Sequence, residues 1–573
     1  MLTRPLRSSL THASGRALVT ALALLGSLVL TTGAWIVLFE TSIRPGMPEM
    51  NLDGNARLLI WVLVPLALVL ALAGTTAYAA SAKGKRDLAC QKAQQEAEAQ
   101  RQKALEEQAR LAQQRHQFAL EVRGLGIALD RFRQTRILDA LAKAPSPYHS
   151  IMPQDPDAYP TARTEKSRQF HKRRGDTWRY ALRNFVERWP IPVILVAPAR
   201  SANPQVTSPL IEDIAGLNMD AGLGITLYTV LETHNTDRAE EVIERLFNWF
   251  DMHPEMPAAV VQVTDSVVFR SYHRPKGTPS LVRDGKEVPW LFDANVSLLV
   301  TRTDRVDAQI RPYAYEAPYQ MHKEDGTGYD NVHIPTIKLW KHYFNKGEGG
   351  HQQGVDAWHE RLKTFIATQN ADEGDPCADA PSWDKSKGFK PNVWVPVRWV
   401  KWQLEEYDES PLLGYLHRPV TVKFHNDQGK PLSESAKAKA MVEGWQAAMA
   451  TLPKDTEGTE IQRVFYDTGP DTKRVIPLSR ALSDTNSELD PLDAKTGYNI
   501  TQRIGNIGTT SPWASIGLAL MKSYHAGGAS VVADLRHDDS ATLVMVRPPS
   551  EAQKKANKRQ PDPFMVTQLP EVP

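Results

Sequence analysis

The sequence predicts an α/β protein, with two α/β domains that have mixed sheets, preceded by a two-helix membrane anchor and a helical stalk. Three observations lead to this prediction. Two long uncharged runs lie within the first 82 residues, a proline-free stretch rich in helix formers follows them, and strand and helix patterns then alternate twice along the chain. At 573 residues the chain is long enough for several domains, since one domain usually has about 100–200 residues.

The two uncharged runs predict two transmembrane helices within residues 17–82. Residues 17–39 and 58–82 form runs of 23 and 25 residues without a charge. At 1.5 Å per residue, either helix would reach roughly 35 Å, enough for a hydrocarbon core of about 30 Å. A cleaved signal peptide is the alternative for the first run, but the end of that run, from Trp35 to Phe39, lacks the small residues of a cleavage site.

Flanking charges predict the orientation of this anchor. Arginines lie in the leader, residues 1–16, and Lys83, Lys85 and Arg86 follow the second run, whereas the connecting loop has fewer cations. The positive-inside rule therefore places the leader and the main body in the cytoplasm and the short loop in the periplasm. The presence of only two cysteines, Cys90 and Cys377, agrees with a reducing compartment.

Residues 83–144 are predicted to form a helical stalk. The segment is rich in Ala, Gln, Glu, Lys and Arg, which favour helices. Apolar residues in its second half follow heptad spacing, at Leu111, Phe118, Val122, Leu125, Leu129 and Phe132. Two interpretations remain open: a coiled coil that makes the protein a homodimer, or a single amphipathic helix that packs on the body.

The first α/β domain is predicted over residues 145–330. A basic segment, residues 166–188, comes early and favours a solvated helix face, with anionic lipid or nucleic acid as the alternative contact. Residues 193–196 and 225–230 then read as strands, Thr236 as a helix cap, residues 242–250 as an amphipathic helix, and residues 260–263 as a returning strand. This order is typical of parallel strands joined by a crossover helix.

The same order recurs in the second predicted domain, residues 403–550. A helix capped by Ser433 is predicted between strands at residues 420–424 and 461–466. Ser511-Pro512 then indicates the start of a further helix, which is followed by strands at 530–533 and 542–546. Residues 331–402 form a Trp-rich loop region and linker between the two domains. Residues 551–573 are polar and contain proline, which predicts a disordered tail.

Composition and missing motifs exclude several functional classes. The net charge of only +2 predicts no nucleic-acid partner, and two cysteines exclude a disulfide-stapled fold and a cysteine-only zinc site. The sequence has no Gly-x-Ser-x-Gly, no phosphate loop and no His-Glu-x-x-His motif. These absences weigh against the common hydrolases, and we predict a protein that is not an enzyme, with no catalytic residue, no metal ligand and no cofactor. Two alternatives stay open: a membrane-anchored enzyme with an unfamiliar anion-binding site near Gly505 to Ser511, and a structural membrane scaffold.

Two segments are candidate binding sites. The string that contains Gly505, Gly508, Thr509, Thr510 and Ser511 is a glycine-rich loop entering a helix, which suits an anion because the first N–H groups of a helix lack partners. A tight turn with an ordinary helix cap is the alternative, and it is favoured because no lysine completes a phosphate site.

The second candidate segment is aromatic. Trp394, Trp399, Trp402 and Tyr407 would suit a partner-binding patch, since Trp and Tyr anchor interfaces. A core strand built with the neighbouring valines is an equally good interpretation.

Several stretches of the body resemble the type VI lipase adaptor proteins. The resemblance rests on residues 189–198, on Val230-Leu231-Glu232-Thr233 with the helix at 239–250, and on the helix entry Ser511-Pro512-Trp513-Ala514. It extends over about residues 145–549, as an amino-terminal and a carboxy-terminal domain.

The resemblance implies an accessory protein of the bacterial type VI secretion system. Such adaptors bind a phospholipase effector in the cytoplasm and help to load it onto the spike protein, and the family offers no catalytic residue to carry over. The paired membrane anchor departs from a freely diffusing adaptor. Together with the resemblance, it predicts an inner-membrane protein that contacts lipid through residues 17–82 and holds its body in the cytoplasm.

Overall fold

The structure, a computed structural model, describes most of the chain beyond residue 63. The described ranges are 64–186, 191–199, 230–316 without 273 and 275–276, 388–395, 398–399, 401–557 without 455 and 486–487, and 562–565, with isolated positions at 26, 29–38, 40–41, 45, 217, 360, 363–364 and 367. The chain divides into two compact units, residues 1–112 and 113–573.

The predicted anchor falls partly outside the described residues. Residues 29–38 are helical, and helix α1 spans Val64–Gln117. Among the described residues, we find no helix that combines the length and the apolar character needed to cross a bilayer. The two spans therefore stay a prediction from the sequence.

The stalk prediction is right for residues 83–117, which belong to α1, and wrong beyond them. Ala119–Leu129 is strand β1, and only Thr135–Lys143, helix α2, returns to a helix after the short strand β2, Phe132–Arg133. Val122, Leu125 and Leu129 are fully or almost fully buried in the body. The better half of the predicted coiled-coil seam is thus a core strand, so the argument for a dimer through that seam no longer holds.

The amino-terminal half of the body is built around β1. Its further elements are helix α3, Arg163–Val186; strands β3, Val193–Ala197, and β4, Val230–Asn235; helix α4, Glu241–Met252; strand β5, Ala258–Asp265; helix α5, Val267–Tyr272; strand β6, Ala294–Thr301; and helix α6, Thr303–Gln309. The predicted apolar face of α4 is confirmed, because Val242, Ile243, Leu246, Phe247 and Phe250 are all buried. Thr236 is not its cap: the helix begins at Glu241.

The carboxy-terminal half repeats the alternation. It contains α7, Lys401–Glu409; β7, Gly414–His417; β8, Val420–Lys423; α8, Glu434–Met449; β9, Ile461–Asp467; α9, Ile476–Asp484; β10, Gly497–Asn499; α10, Ile500–Arg503; α11, Ser511–Ala526; β11, Ala529–Asp534; β12, Ser540–Arg547; and α12, Glu551–Ala556. The predicted Ser433 cap is confirmed, since its side chain accepts the amide of Ala436.

One mixed sheet of twelve strands joins both halves within the described part of the chain. Its order is β10-β9-β11-β12-β7-β1-β6-β5-β3-β4, with β2 beside β1 and β8 beside β12. The halves meet where β1 pairs antiparallel with β7, Ala119 opposite His417 and Val122 opposite Gly414. The prediction of two separate α/β domains is thus corrected: the two halves of the body share one sheet, and the first half begins at β1 rather than at residue 145.

The two halves have the same topology. Counted outward from the centre, the amino-terminal half runs β1-β6-β5-β3-β4 and the carboxy-terminal half runs β7-β12-β11-β9-β10. In each half the first strand is central, the last strand lies next to it, and the three outer strands are parallel to one another. This shared order is what a repeated structural unit would produce.

Helix α11 lies in the core, and α3 lies directly on the sheet. Every residue of α11 from Ser511 to Met521 is buried, as expected for a helix surrounded by protein. The approach of α3 to β1 is so close that a Cβ at Gly126 would lie 1.8 Å from the carbonyl oxygen of Thr177. Glycine is therefore required at this point of β1.

The tail prediction is only partly compatible with the structure. Residues 551–556 form α12, closed by a capping box in which the side chain of Ser550 accepts the amide of Gln553 and the side chain of Gln553 accepts the amide of Ser550. Phe564 is fully buried and packs edge-on against Tyr524, with ring centroids 5.3 Å apart. Aromatic burial fixes this part of a segment whose composition suggested disorder.

Candidate functional site

The predicted anion loop lies at a junction of buried carboxylates. We call Glu240, Asp265, Asp467 and Asp534 the carboxylate junction; all four are buried, three at the ends of β5, β9 and β11 and one just before α4. The backbone N–H of Thr509 donates to Asp265 Oδ2 at 2.8 Å, and the hydroxyl of Ser511 donates to Asp467. The loop therefore binds the chain's own carboxylates.

The remaining donors of this loop are also engaged. The hydroxyl of Thr509 donates to the carbonyl of Thr236, and that of Thr510 donates to the carbonyl of Ala294. Gly508 cannot carry a side chain, because a Cβ would lie 2.1 Å from Asp265 Oδ2. An incoming anion would have to displace these contacts, so the arrangement favours the structural interpretation of Gly505 to Ser511.

Arginines neutralise the junction. The guanidinium of Arg536 lies 2.7 Å from Asp534 and 3.2 Å from Glu240, and it donates to the carbonyl of Gly508 at 2.7 Å. Burial would lower the pKa of Arg536, but the charges of Asp534, Asp467 and Glu240 outweigh burial and raise it. Arg270 pairs with Asp265 in the same way, at 2.7 Å.

Two carboxylates of the junction and the neighbouring His537 form a group of potential metal ligands, but a guanidinium already lies beside them. Oxygen or nitrogen atoms of Glu240, Asp534 and His537 lie within 4.8 Å of one another. Arg536 contacts two of these three residues, so a divalent cation would have to compete with a guanidinium already in place.

The predicted aromatic patch lies mainly in the core. Trp394, Trp399 and Tyr407 are 3%, 5% and 1% exposed, and Trp402 is half-buried. The indole N–H of Trp394 donates to Glu255 Oε1 at 2.9 Å, and the hydroxyl of Tyr407 contacts Thr301 and Thr303. Burial raises the pKa of Tyr407. Rings this deeply buried stabilise the fold, and a partner could not contact them without opening it.

A cavity of about 470 Å³ lies elsewhere, between α3, α5 and the segment that leads into β6. This volume is within the range of small-ligand sites, about 300–1,000 Å³. Its apolar wall consists of Val267, Val268, Leu281, Val282, Val288 and Leu291. Trp290 also lines it and is 58% exposed. We call this cavity the α3–α5 pocket.

The floor of the α3–α5 pocket is charged. Arg173 lies between two carboxylates, 2.6 Å from Asp130 Oδ1 and in contact with Asp293 Oδ2, and it also donates to Gln169 Oε1 at 2.9 Å. Burial would lower the pKa of Arg173, but the charges of Asp293 and Asp130 raise it. Burial raises the pKa of Asp293 despite the neighbouring Arg173. Two carboxylates thus share one guanidinium.

Arg133 and Tyr159, which lie around the floor, already have ion-pair or hydrogen-bond partners. Arg133 pairs with Asp176 at 3.1 Å and donates to the backbone carbonyl of Asp130 at 2.6 Å. The hydroxyl of Tyr159 donates to the carbonyl of Pro153, and burial, with the charge of Asp130, raises its pKa to about 12. Tyr159 is therefore a hydrogen-bond donor at neutral pH rather than a base.

The rim of the pocket carries cations. The ammonium of Lys166 contacts Glu287 at 3.0 Å and the carbonyls of Arg283 and Gly285. Arg274 donates to the carbonyl of Pro279, and Arg283 is exposed. Within the described part of the chain, neither arginine has a carboxylate partner.

The predicted anion loop supports one wall of this pocket. The amide of Phe292 donates to the carbonyl of Asn506 at 2.9 Å, and the side chain of Asn506 donates to the carbonyl of Trp290 at 3.1 Å. The loop thus holds the segment that carries Trp290, Leu291 and Asp293. Sequence reasoning missed the pocket because its residues come from several distant segments; the basic segment at 166–188 was the one signal that included a floor residue, Arg173.

Comparison with known families matches both halves of the body. Residues 118–284 match the family described as type VI lipase adapter protein Tla3, N-terminal, and residues 413–548 match type VI lipase adapter protein Tla3, C-terminal. The two regions together span more than half of the chain. The chain belongs to the type VI lipase adapter protein Tla3 family. The resemblance seen in the sequence is thereby confirmed, and the family region begins at residue 118, immediately before β1.

Solved structures give only distant likenesses. The 3-oxoacyl-[acyl-carrier-protein] synthase III of Aquifex aeolicus VF5 is similar over 75% of this chain and 99% of its own, with 9% identity and a TM-score of 0.31. A ketosynthase from module 6 of the bacillaene synthase of Bacillus subtilis 168 is similar over 76% and 73%, with 9% identity and a TM-score of 0.36. Such scores do not establish a common fold.

Proposed function

We propose that this protein is a non-enzymatic adaptor that binds a phospholipase effector in the cytoplasm and helps to load it onto the type VI secretion spike. The observation that carries the proposal is the match of both halves of the body to the lipase adapter family. The arrangement at Gly505 to Ser511 disfavours the alternative of an enzyme with an anion site there, because the donors of this loop bind Asp265 and Asp467 of the same chain.

The first experiment tests cargo binding. The tagged full chain would be co-expressed with a candidate type VI lipase effector from the same genome and purified with and without a chelator. We expect the lipase to co-purify in both cases, because the proposed contact is recognition between surfaces and needs no metal. An unrelated lipase of similar size serves as the control. Failure to retain the lipase at any salt concentration would contradict the adaptor function.

The second experiment tests loading. The amount of lipase that co-purifies with the spike protein would be compared in cells with and without this chain. An adaptor should raise that amount, and the increase should vanish when the chain is deleted. If the lipase reaches the spike equally well without the chain, cargo binding has a purpose other than loading.

We further propose that residues 17–82 attach the protein to the inner membrane and leave the body in the cytoplasm. The basis is the pair of uncharged runs and the flanking arginines and lysines. Tethering would raise the local concentration of cargo near the membrane base of the secretion machine. Fusions of alkaline phosphatase and of β-galactosidase to the C-terminus test this: only the second should be active. An active phosphatase fusion would contradict the proposed orientation.

A further inference from the structure

The floor of the α3–α5 pocket has more acceptors than donors. Asp130 and Asp293 both line the pocket and offer four carboxylate oxygens, of which Arg173 contacts one on each residue. Asp130 Oδ2 is buried and has no hydrogen-bond partner among the described residues. A buried acceptor without a donor costs about 1–3 kcal/mol, so the pocket is completed when a ligand supplies one.

The charges of the pocket floor also favour a ligand that is a cation. Arg173 supplies one positive charge against the two negative charges of Asp130 and Asp293, and the nearby Arg133 is matched by Asp176. The side chains of Asp130 and Asp293 are only 3% and 12% exposed, so water screens them poorly. A ligand with a single positive charge would neutralise this floor.

The upper part of the pocket fits a chain that continues outward. The walls are apolar along Val267, Val268 and Leu281, which suits the methylene stem of a long side chain. Trp290 lies at the pocket and is largely exposed, and exposed Trp residues beside pockets are frequent energetic anchors of protein interfaces. Arg274 and Arg283 lie at the rim without carboxylate partners in the described chain, which disfavours a ligand with several positive charges.

We propose that the α3–α5 pocket receives one basic side chain, arginine or lysine, of the lipase cargo, with its cationic end at Asp130 and Asp293 and acidic neighbours in the cargo facing Arg274 and Arg283. The inference rests on the adaptor function proposed above and names the site through which it would act. An arginine fits best, because a guanidinium can donate to two carboxylates at once.

A small probe isolates this interaction from the rest of the interface. Binding of N-acetyl-arginine amide to the full chain would be measured by saturation-transfer NMR, with N-acetyl-citrulline amide as the matched neutral probe of nearly the same shape. We expect millimolar binding of the arginine probe and at least about tenfold weaker binding of the citrulline probe, as charge-assisted hydrogen bonds predict. Equal binding of the two probes would overturn the proposal.

Substitutions in the pocket test whether the arginine probe binds there. Asp293→Asn keeps the shape of the floor but removes one charge, and it should weaken arginine binding about tenfold while leaving citrulline binding unchanged. Asp427→Asn, an exposed aspartate on a turn, is the control and should change neither. If Asp293→Asn does not fold, Trp290→Ala replaces it, because this side chain is exposed and its loss should weaken arginine binding several-fold at an unchanged melting temperature.

The outcomes separate this inference from the proposed function. If the lipase co-purifies with wild-type protein but the arginine probe does not bind, the pocket assignment fails and the adaptor function stands. If the probe binds as expected and no lipase is retained, the site exists but serves another basic ligand, and the assignment to the lipase is overturned. Phosphoethanolamine binding more tightly than the arginine probe would assign the pocket to a lipid headgroup and would also overturn it.

Discussion

The closest approach between α3 and the sheet offers a sharp test of the fold and of the pocket together. In Gly126→Ala, the new Cβ would lie 1.8 Å from the carbonyl oxygen of Thr177 and 2.5 Å from its carbonyl carbon. A carbon atom cannot approach an oxygen that closely, so α3 must retreat by more than about an ångström. Backbone, and not the end of a flexible side chain, is in the way, so no rotamer change relieves the clash.

The loss of stability in Gly126→Ala can be estimated from the packing of α3 on the sheet. A gap of 0.5–1 Å already loses about a quarter to a half of the attraction between packed atoms. The buried Ala181 lies along the same interface, since a Cβ at Gly124 would lie 1.9 Å from its carbonyl oxygen. Overpacking usually costs about 1–3 kcal/mol, and replacing a strand glycine by alanine otherwise gains about 0.5–1 kcal/mol. Because the obstacle is main chain, we expect the upper end, a loss of about 3 kcal/mol.

Urea unfolding followed by tryptophan fluorescence measures this loss. Gly126→Ala should lower the midpoint, whereas Gly74→Ala adds the same methyl group in α1 with nothing within 4 Å and should not. Because α3 carries Gln169 and Arg173, the arginine probe should also bind more weakly to Gly126→Ala. A midpoint equal to that of the wild type would refute the close packing of α3 on β1, and with it the geometry of the pocket.

Three further predictions concern the junction and the core. Ser511→Ala removes a hydrogen-bond donor from the buried Asp467 and should lower the free energy of unfolding in urea by about 1–3 kcal/mol. The control Ser540→Ala removes a hydroxyl beside the exposed Asp539 and should cost much less. Equal losses would contradict the stabilising role of the junction. Arg418→Met removes ion pairs with Glu244 and Asp251, each 2.6 Å long, and should destabilise the protein by about 2 kcal/mol. The control Lys437→Met removes an ion pair with the exposed Glu434 and should cost no more than about 0.5 kcal/mol. Burial, reinforced by the charge of Arg547, lowers the pKa of His417 to about 3. Between pH 6.5 and 3 the unfolded state therefore binds a proton that the folded state does not, and stability falls as the pH falls. The loss is at most about 5 kcal/mol, for a pKa difference of about 3.5 units. His417→Gln should flatten that part of the stability curve, and an unchanged slope would show that His417 does not cause it.

Local patterns predicted the parts of the fold that depend on neighbours in sequence. The apolar face of α4 and the Ser433 cap are set by residues within one helix, and both were correct. Strand β1 was missed because its burial alternates only as far as Arg123 and is continuous from Gly124 to Leu129, so the spacing of Val122, Leu125 and Leu129 can be mistaken for a heptad seam. The shared sheet could not be predicted either, since the pairing of β1 with β7 joins residues almost 300 positions apart.

The candidate site was harder to predict than the fold. Trp394, Trp399 and Tyr407 have the composition of an interface, but composition does not reveal whether a ring is covered, and here the rings are buried. The loop from Gly505 to Ser511 was recognised as unusual, and it is, but the carboxylates that occupy its donors come from β5 and β9. Asp130, Arg173 and Asp293 meet only after β1, α3 and β6 have assembled.

The central place of β1 has a consequence for synthesis of the protein. This strand is the first of the body to leave the ribosome, yet the two strands that pair along most of its length, β6 and β7, begin only at Ala294 and Gly414. At translation rates of about 5–20 residues per second, β1 stays without one partner for many seconds and without the other for longer. Through that interval a nascent chain exposes an apolar strand whose edges are open except where β2 pairs with Ala128 and Leu129, so its yield in the cell should depend on chaperones that shield the strand until the later half emerges.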